Sequence, residues 1–137
     1  MKYTALKILF FIACTFLFDS ASVRSEELAR RGQYIFATAG GCACHTVPKG
    51  TPNVGAHPFP IPFGTVYSTN ITQDKETGLG NWTDQQIADA ITKGISRDGS
   101  RILPVMPYEK YSGMARDDLQ ALTAYLRTLK PAKEETR

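Results

Sequence analysis

Between residues 46 and 72 the chain is denied a helix, and that stretch limits what it can fold into. It holds Pro48, Pro52, Pro58, Pro60 and Pro62, together with Gly50, Gly55 and Gly64. Proline removes a backbone donor and glycine favours turns, so the segment reads as a long loop. A second segment, 95–113, carries Pro104, Met106 and Pro107 and reads the same way. Helical periodicity is confined to three places. At 26–39, Leu28, Ile35 and Phe36 share a face. Glu26 and Glu27 fall in the first turn, and Gly40 with Gly41 stops the helix. At 83–94, Thr83 and Gln86 form a capping box, Ile87, Ala88 and Ile91 form the apolar face, and Gly94 ends it. At 115–129, Leu119, Leu122, Tyr125, Leu126 and Leu129 form one stripe, closed by Pro131. The expected fold is all-α, with three main helices and two long loops. Loops of this length beside such modest apolar clusters imply that a bound group completes the core.

A chain of 137 residues suits one domain. Its first 25 residues have the pattern of an export signal. Lys2 and Lys7 give a positive start, and Ile8 to Phe18 form an apolar run broken only by Thr15. Small residues follow from Ser20 to Ser25, with cleavage expected after Ser22 or Ser25. The run is shorter than the roughly 20 residues that span a bilayer. Phe11-Ile12-Ala13-Cys14 loosely matches a lipoprotein processing site, so membrane association would come through lipidated Cys14 or through a partner. The formal charge of +3 belongs mostly to this segment. Without Lys2, Lys7, Arg24 and Asp19 the chain keeps 13 positive and 12 negative side chains. No basic run or stripe exists, so nucleic acid is not an expected partner. Residues 26–131 form the expected domain and 132–137 a charged, frayed tail.

Chemistry is concentrated at Gly41-Cys42-Ala43-Cys44-His45, just past the first helix. In an exported protein, Cys-x-x-Cys-His attaches haem through two thioethers while the histidine binds iron. Here one residue is missing. Counting back from His45, Gly41 stands where the first cysteine belongs. On a regular helix Cys42 and Cys44 would point about 200° apart. Only an extended segment would bring them to one side. The residues therefore suggest that Cys44 makes a thioether, His45 binds iron, and Cys42 is free or strained. A Cys42–Cys44 disulfide and a compact zinc site with His45 and His57 remain as alternatives. Met106, between Pro104 and Pro107, is a thioether on a stiff loop and suits a soft, neutral iron ligand. Met114 reads as a packing residue, and His57 as an exposed loop residue. No Ser-His-Asp set, carboxylate pair or phosphate loop stands out, so catalysis by this chain alone is not expected.

Four further segments stand in order. They are Phe63-Gly64-Thr65-Val66-Tyr67-Ser68-Thr69-Asn70-Ile71-Thr72, Thr77-Gly78-Leu79-Gly80-Asn81-Trp82-Thr83, Leu103-Pro104-Val105-Met106-Pro107-Tyr108 and Leu122-Thr123-Ala124-Tyr125-Leu126. Together they resemble class I c-type cytochromes. More narrowly, they are similar to the cytochrome subunits of bacterial membrane-associated alcohol, aldehyde and gluconate dehydrogenases. The resemblance covers about residues 28–130. It implies a cytochrome c-like helical fold around one haem c, with the first and last helices crossing near Gly32 and Tyr125. It implies His45 and Met106 as iron ligands, Trp82 beside the haem and near a propionate, and Tyr67 to Asn70 along a haem edge. It also implies a periplasmic single-electron carrier. The expected donor is a dehydrogenase, and the expected acceptor another cytochrome or an oxidase. The motif departs from the family at Cys42, and Ala115 stands where relatives often have a capping serine. A haem-based ligand binder and a haemless scaffold subunit are the alternative functions.

Overall fold

A computed structural model describes residues 22–41 and 43–133. The expected signal segment up to residue 21, Cys42, and the tail from 134 onward lie outside the described residues. The order is helix α1 at 22–38, a 3-10 turn at Ala43–His45, strands β1 (Pro58–Ile61) and β2 (Gly64–Tyr67), then helices α2 (Asp84–Lys93), α3 (Tyr108–Tyr111) and α4 (Arg116–Thr128). Among the described residues, no helix is long and apolar enough to cross a membrane.

The three expected helices are present, and their ends follow local chemistry. α1 closes at two left-handed glycines, Gly40 (φ 100°) and Gly41 (φ 60°). The Gly41 N–H reaches back to the Phe36 carbonyl (2.8 Å) and the Gly40 N–H to that of Ala37 (3.3 Å), the paired pattern of a Schellman stop. At α2 both halves of the Thr83–Gln86 capping box form, and Gly94 (φ 63°) ends the helix. α4 starts at Ala115 with no side-chain cap.

The all-α expectation needs correction. The loop 46–72 folds part of itself into an antiparallel hairpin, with Pro58 opposite Tyr67 and Ile61 opposite Gly64. Pro58 and Pro60 alternate along β1, so both missing N–H groups fall on the outer side of that strand. A two-stranded sheet tolerates this because, among the described residues, β1 has no second neighbour. The loop 95–113 likewise contains the single turn α3, which begins just after Pro107. His57, expected to be exposed, is half-buried. Its Nδ1 lies 3.1 Å from the Thr46 carbonyl and its ring 4.9 Å from that of Phe59. The start of the tail is not frayed. The Ala132 carbonyl accepts from Asn70 Nδ2 (2.7 Å) and Thr72 Oγ1 (3.1 Å), and Lys133 pairs with Glu76 (2.6 Å).

α1 and α4 cross where Gly32 meets the Ala121 carbonyl and Tyr125. Phe36 and Tyr125 stack alongside at 5.2 Å between ring centres. Leu79, Ile87, Ile91, Leu122 and Leu126 make the buried core. Against it pack the half-buried Ile71, Trp82, Met106, Tyr111 and Met114. The core is thus a thin layer between α2 and α4, and much of the apolar surface lies on its rim.

Candidate haem-binding site

The site is built around the 3-10 turn that follows α1. Within that turn Cys44 is exposed and free, and His45 is half-buried. The His45 Nδ1 lies 2.7 Å from the Thr69 carbonyl oxygen. A carbonyl only accepts, so Nδ1 carries the proton and Nε2 keeps its lone pair. Burial lowers the His45 pKa, and the bond to Thr69 opposes that in part. The result is a neutral imidazole, held by its far nitrogen and ready to bind a metal through the near one.

Three stretches of the proline-rich loop fix Thr69. The Gly55 N–H donates to the His45 carbonyl (2.8 Å), the Ala56 N–H to the Ser68 carbonyl (2.8 Å), and the Ile71 N–H to the Asn53 carbonyl (2.9 Å). The Asn53 N–H donates to Thr46 Oγ1 (3.0 Å) and the His57 N–H to Ser68 Oγ (3.0 Å). Gly55 is what permits this closeness. It has φ 91°, and a Cβ there would stand 2.6 Å from the Thr69 carbonyl carbon. Sequence reasoning missed Asn53 and Gly55. Their signal was Pro52-Asn53-Val54-Gly55, a turn composition read only as loop.

Met106 is half-buried against the core on the loop before α3. Its neighbours Leu103 and Val105 are 51% and 36% exposed, an apolar rim around the thioether. Tyr67 is 54% exposed on β2. Trp82 is half-buried at the mouth of α2, its N–H donating to the Leu79 carbonyl (3.0 Å). Asn70 sits differently. It is 2% exposed, donates to Thr77 Oγ1 (2.8 Å) and the Ala132 carbonyl, and accepts from the Thr72 N–H (2.8 Å). Its polar atoms are engaged inside the protein, where they anchor the segment that carries Thr69. Cys42 is outside the described residues, so its placement beside Cys44 is not part of this geometry. Among the described residues, no group of three His, Cys, Asp or Glu side chains gathers as a metal site.

The donor set fits a flat, largely apolar prosthetic group that carries iron. One neutral imidazole, one neutral thioether and one free thiol beside the imidazole are the donors such a group uses. The bared apolar side chains around Met106 supply the wall it would cover.

The sequence from 29 to 130 matches the family model described as Cytochrome c. The chain is 45% identical over 112 residues to a nicotinate dehydrogenase subunit of Pseudomonas putida, a match covering 81% of this chain and 9% of that protein. It is 39% identical over 114 residues to the cytochrome c subunit of the quinone alcohol dehydrogenase of Gluconobacter oxydans, covering 83% and 24%. It is 42% identical over 102 residues to the gluconate 2-dehydrogenase cytochrome c subunit of Pantoea cypripedii, covering 74% and 23%. The chain therefore spans a quarter or less of the length of these curated relatives.

Proposed function

The chain belongs to the cytochrome c family, and from that premise we propose that it is a periplasmic, monohaem electron carrier serving a dehydrogenase. Haem c, the family's cofactor, supplies a one-electron iron couple when bound. The single observation that carries the reading is the His45–Thr69 bond, which leaves Nε2 of a neutral imidazole free beside the Cys44 thiol.

Each residue has a distinct task. His45 would hold the iron through Nε2, with the Thr69 carbonyl orienting the ring and raising its basicity. Met106 would supply the second iron ligand, a thioether that favours the reduced state relative to harder donors. Cys44 forms the thioether. The Cys-x-Cys-His spacing is one residue short, and cysteines two positions apart on a regular helix point about 200° apart. We therefore assign one thioether, through Cys44, and leave Cys42 unbonded. Trp82 and Tyr67 line the haem, and Asn70 positions the segment behind His45. Residues 1–25 direct export, and 26–131 form the domain. The nearly neutral charge of that domain favours docking through an apolar rim over long-range steering. The relatives named as dehydrogenase subunits support a dehydrogenase as donor. The acceptor we assign is another cytochrome or an oxidase.

Haem staining of a denaturing gel, followed by a pyridine haemochrome spectrum of the exported protein, tests this. Covalent haem with a band at the single-thioether position is expected. A two-thioether band overturns the assignment of Cys42. Absence of covalent haem overturns the carrier reading and favours a scaffold subunit.

A further inference from the structure

Arg127, on the last turn of α4, sends its side chain across the domain to the segment that carries Trp82. Its Nε and Nη2 lie 2.9 and 2.8 Å from one Asp84 carboxylate oxygen. Nη1 donates to Gln73 Oε1 and to the Leu79 carbonyl, both at 3.1 Å. Nη2 also donates to the Trp82 carbonyl. Gln73 answers from the other side, its Nε2 donating to the Leu126 carbonyl (3.0 Å). One planar fork thus ties the start of the 73–82 loop, its end, and the first turn of α2 to a single point on α4.

The Asp84 side chain is 74% exposed, so the ion pair is the weak element of this arrangement. The part-buried carbonyls matter more. Charge-assisted bonds from a rigid guanidinium fix the peptide groups at Leu79 and Trp82 in place. The Trp82 N–H already bonds to Leu79, so both the amide and the carbonyl of this residue are held. Its indole is half-buried against the core.

We propose that Arg127 is the positioning residue for Trp82: it holds the main chain so that the indole stays against the haem and keeps water from that side. This rests on the reading of Trp82 as a haem-side residue. Loss of the fork frees the Trp82 carbonyl, leaves that of Leu79 with the Trp82 N–H as its donor, and lets the indole swing outward. Water then reaches the cofactor, which favours the more highly charged ferric state and lowers the potential.

Trp82 is the one tryptophan of the chain, so its emission reports on its own surroundings. Haem close by quenches it by energy transfer. The test compares wild type, Arg127→Gln, Arg127→Lys and Arg31→Gln as full-length, haem-loaded protein. Arg31→Gln removes a different ion pair of α4, that with Asp118, and controls for simple destabilisation. Haem content by haemochrome and folding by circular dichroism are measured on each sample. The expected result is a several-fold rise in Trp82 emission and a lower midpoint potential in folded, haem-replete Arg127→Gln. Arg127→Lys should give a smaller change of the same sign, since one ammonium cannot span the carbonyls. Arg31→Gln should match wild type in both. If Arg127→Gln does not fold, Arg127→Lys decides by the same readouts. Wild-type emission and potential in a folded Arg127 variant would overturn the proposal and leave Arg127 a stabilising clamp. Unquenched emission from haem-replete wild type would overturn instead the placement of Trp82 beside the haem, a result separable from the first.

Discussion

The Thr69 carbonyl reaches back 24 residues to within 2.7 Å of His45 Nδ1, and Gly55 is the residue whose missing side chain makes room for it. A Cβ on Gly55 would meet the Thr69 carbonyl carbon at 2.6 Å, the Ser68 carbonyl oxygen at 2.7 Å and the Asn70 nitrogen at 2.8 Å. All three are backbone atoms and cannot rotate away. Gly55 also has φ 91°, which an alanine adopts only under strain. Gly55→Ala should therefore cost about 2–5 kcal/mol, strain and overpacking together. It should also move the Thr69 carbonyl off His45, so the folded remainder should have an altered midpoint potential. Denaturant titration with parallel potentiometry checks both. An unchanged potential in a destabilised Gly55→Ala protein would show that Thr69 does not tune the ligand.

The helix crossing gives a sharper contrast. A Cβ on Gly32 would lie 1.9 Å from the Ala121 carbonyl oxygen and 2.8 Å from Tyr125 Cβ. Relief requires α1 to lift from α4, so Gly32→Ala should cost more than about 3 kcal/mol or prevent folding. Gly113 has no atom within 4 Å of its would-be Cβ and a negative φ, so Gly113→Ala should stay within about 0.5 kcal/mol of wild type. The nearby Arg31–Asp118 pair is 53% and 35% exposed. Breaking it should cost less than about 1 kcal/mol. Thermal unfolding of the three variants ranks them.

Which of these features could be read from the residues follows from how local they are. Helix ends are written within a few positions, so Gly40, Gly41, the Thr83–Gln86 box and Gly94 all lie where the sequence puts them. The hairpin was less legible. Prolines at 58 and 60 argue against a strand, unless the strand has one open edge, and no single-sequence signal says that it does. His45 was visible as a candidate from its neighbouring cysteine. Its partner was not, because Thr69 acts through a backbone oxygen that any residue possesses. Asn70 stood out as part of a distinctive segment. Only the fold shows that its amide faces Thr77, Thr72 and Ala132. Arg127 carries no sequence signal beyond a basic residue in the last turn of a helix, and its partners are main-chain carbonyls that only the fold brings around it.

The uncapped start of α4 offers a gain in place of a loss. Ala115 occupies the cap position with extended ψ of 144°, and no side chain accepts from the first turn. Ala115→Ser places a hydroxyl where it can accept from the N–H of Asp117 or Asp118, adding about 1 kcal/mol. For a domain of this size, that should raise the unfolding midpoint by roughly 4–8 °C. The converse change at α2, Thr83→Ala, should remove a similar amount, since both bonds of its capping box are formed. Differential scanning calorimetry of the two variants tests whether the starts of α2 and α4 are equivalent.

The 72–80 loop carries an acid-sensitive element. The Asp74 pKa is lowered by the Thr77 backbone N–H (2.7 Å) and hydroxyl (2.9 Å), then by the Glu76 N–H (3.1 Å) and nearby Lys133. A carboxylate lowered on folding contributes stability above its unfolded pKa of about 3.9 and loses it as pH falls through the folded value. Wild type should therefore lose stability in that acid range, and Asp74→Asn should lose less across the same range. The group is exposed, so the slope is the readout and not its size. Parallel slopes below about pH 4 would show that Asp74 does not couple folding to protonation.

The missing residue of the attachment motif can be restored without changing the chain length. Gly41→Cys with Cys42→Ala gives cysteines at 41 and 44, three positions apart and next to His45. The obstacle is conformational. Gly41 has φ 60° as part of the turn that stops α1, and a cysteine held there costs about 1–2 kcal/mol. A Cβ at 41 meets nothing nearer than Ala37 Cα at 4.0 Å, so there is room for the side chain. A covalent bond outweighs strain of that size. The double variant should therefore show a haemochrome band at the two-thioether position, while Cys42→Ala alone should keep the wild-type band. Retention of the single-thioether band in the double variant would mean that the turn at Gly40 and Gly41 directs residue 41 away from the haem. A band shift in Cys42→Ala alone would mean that Cys42 is already bonded, and that the turn rearranges when the cofactor is attached.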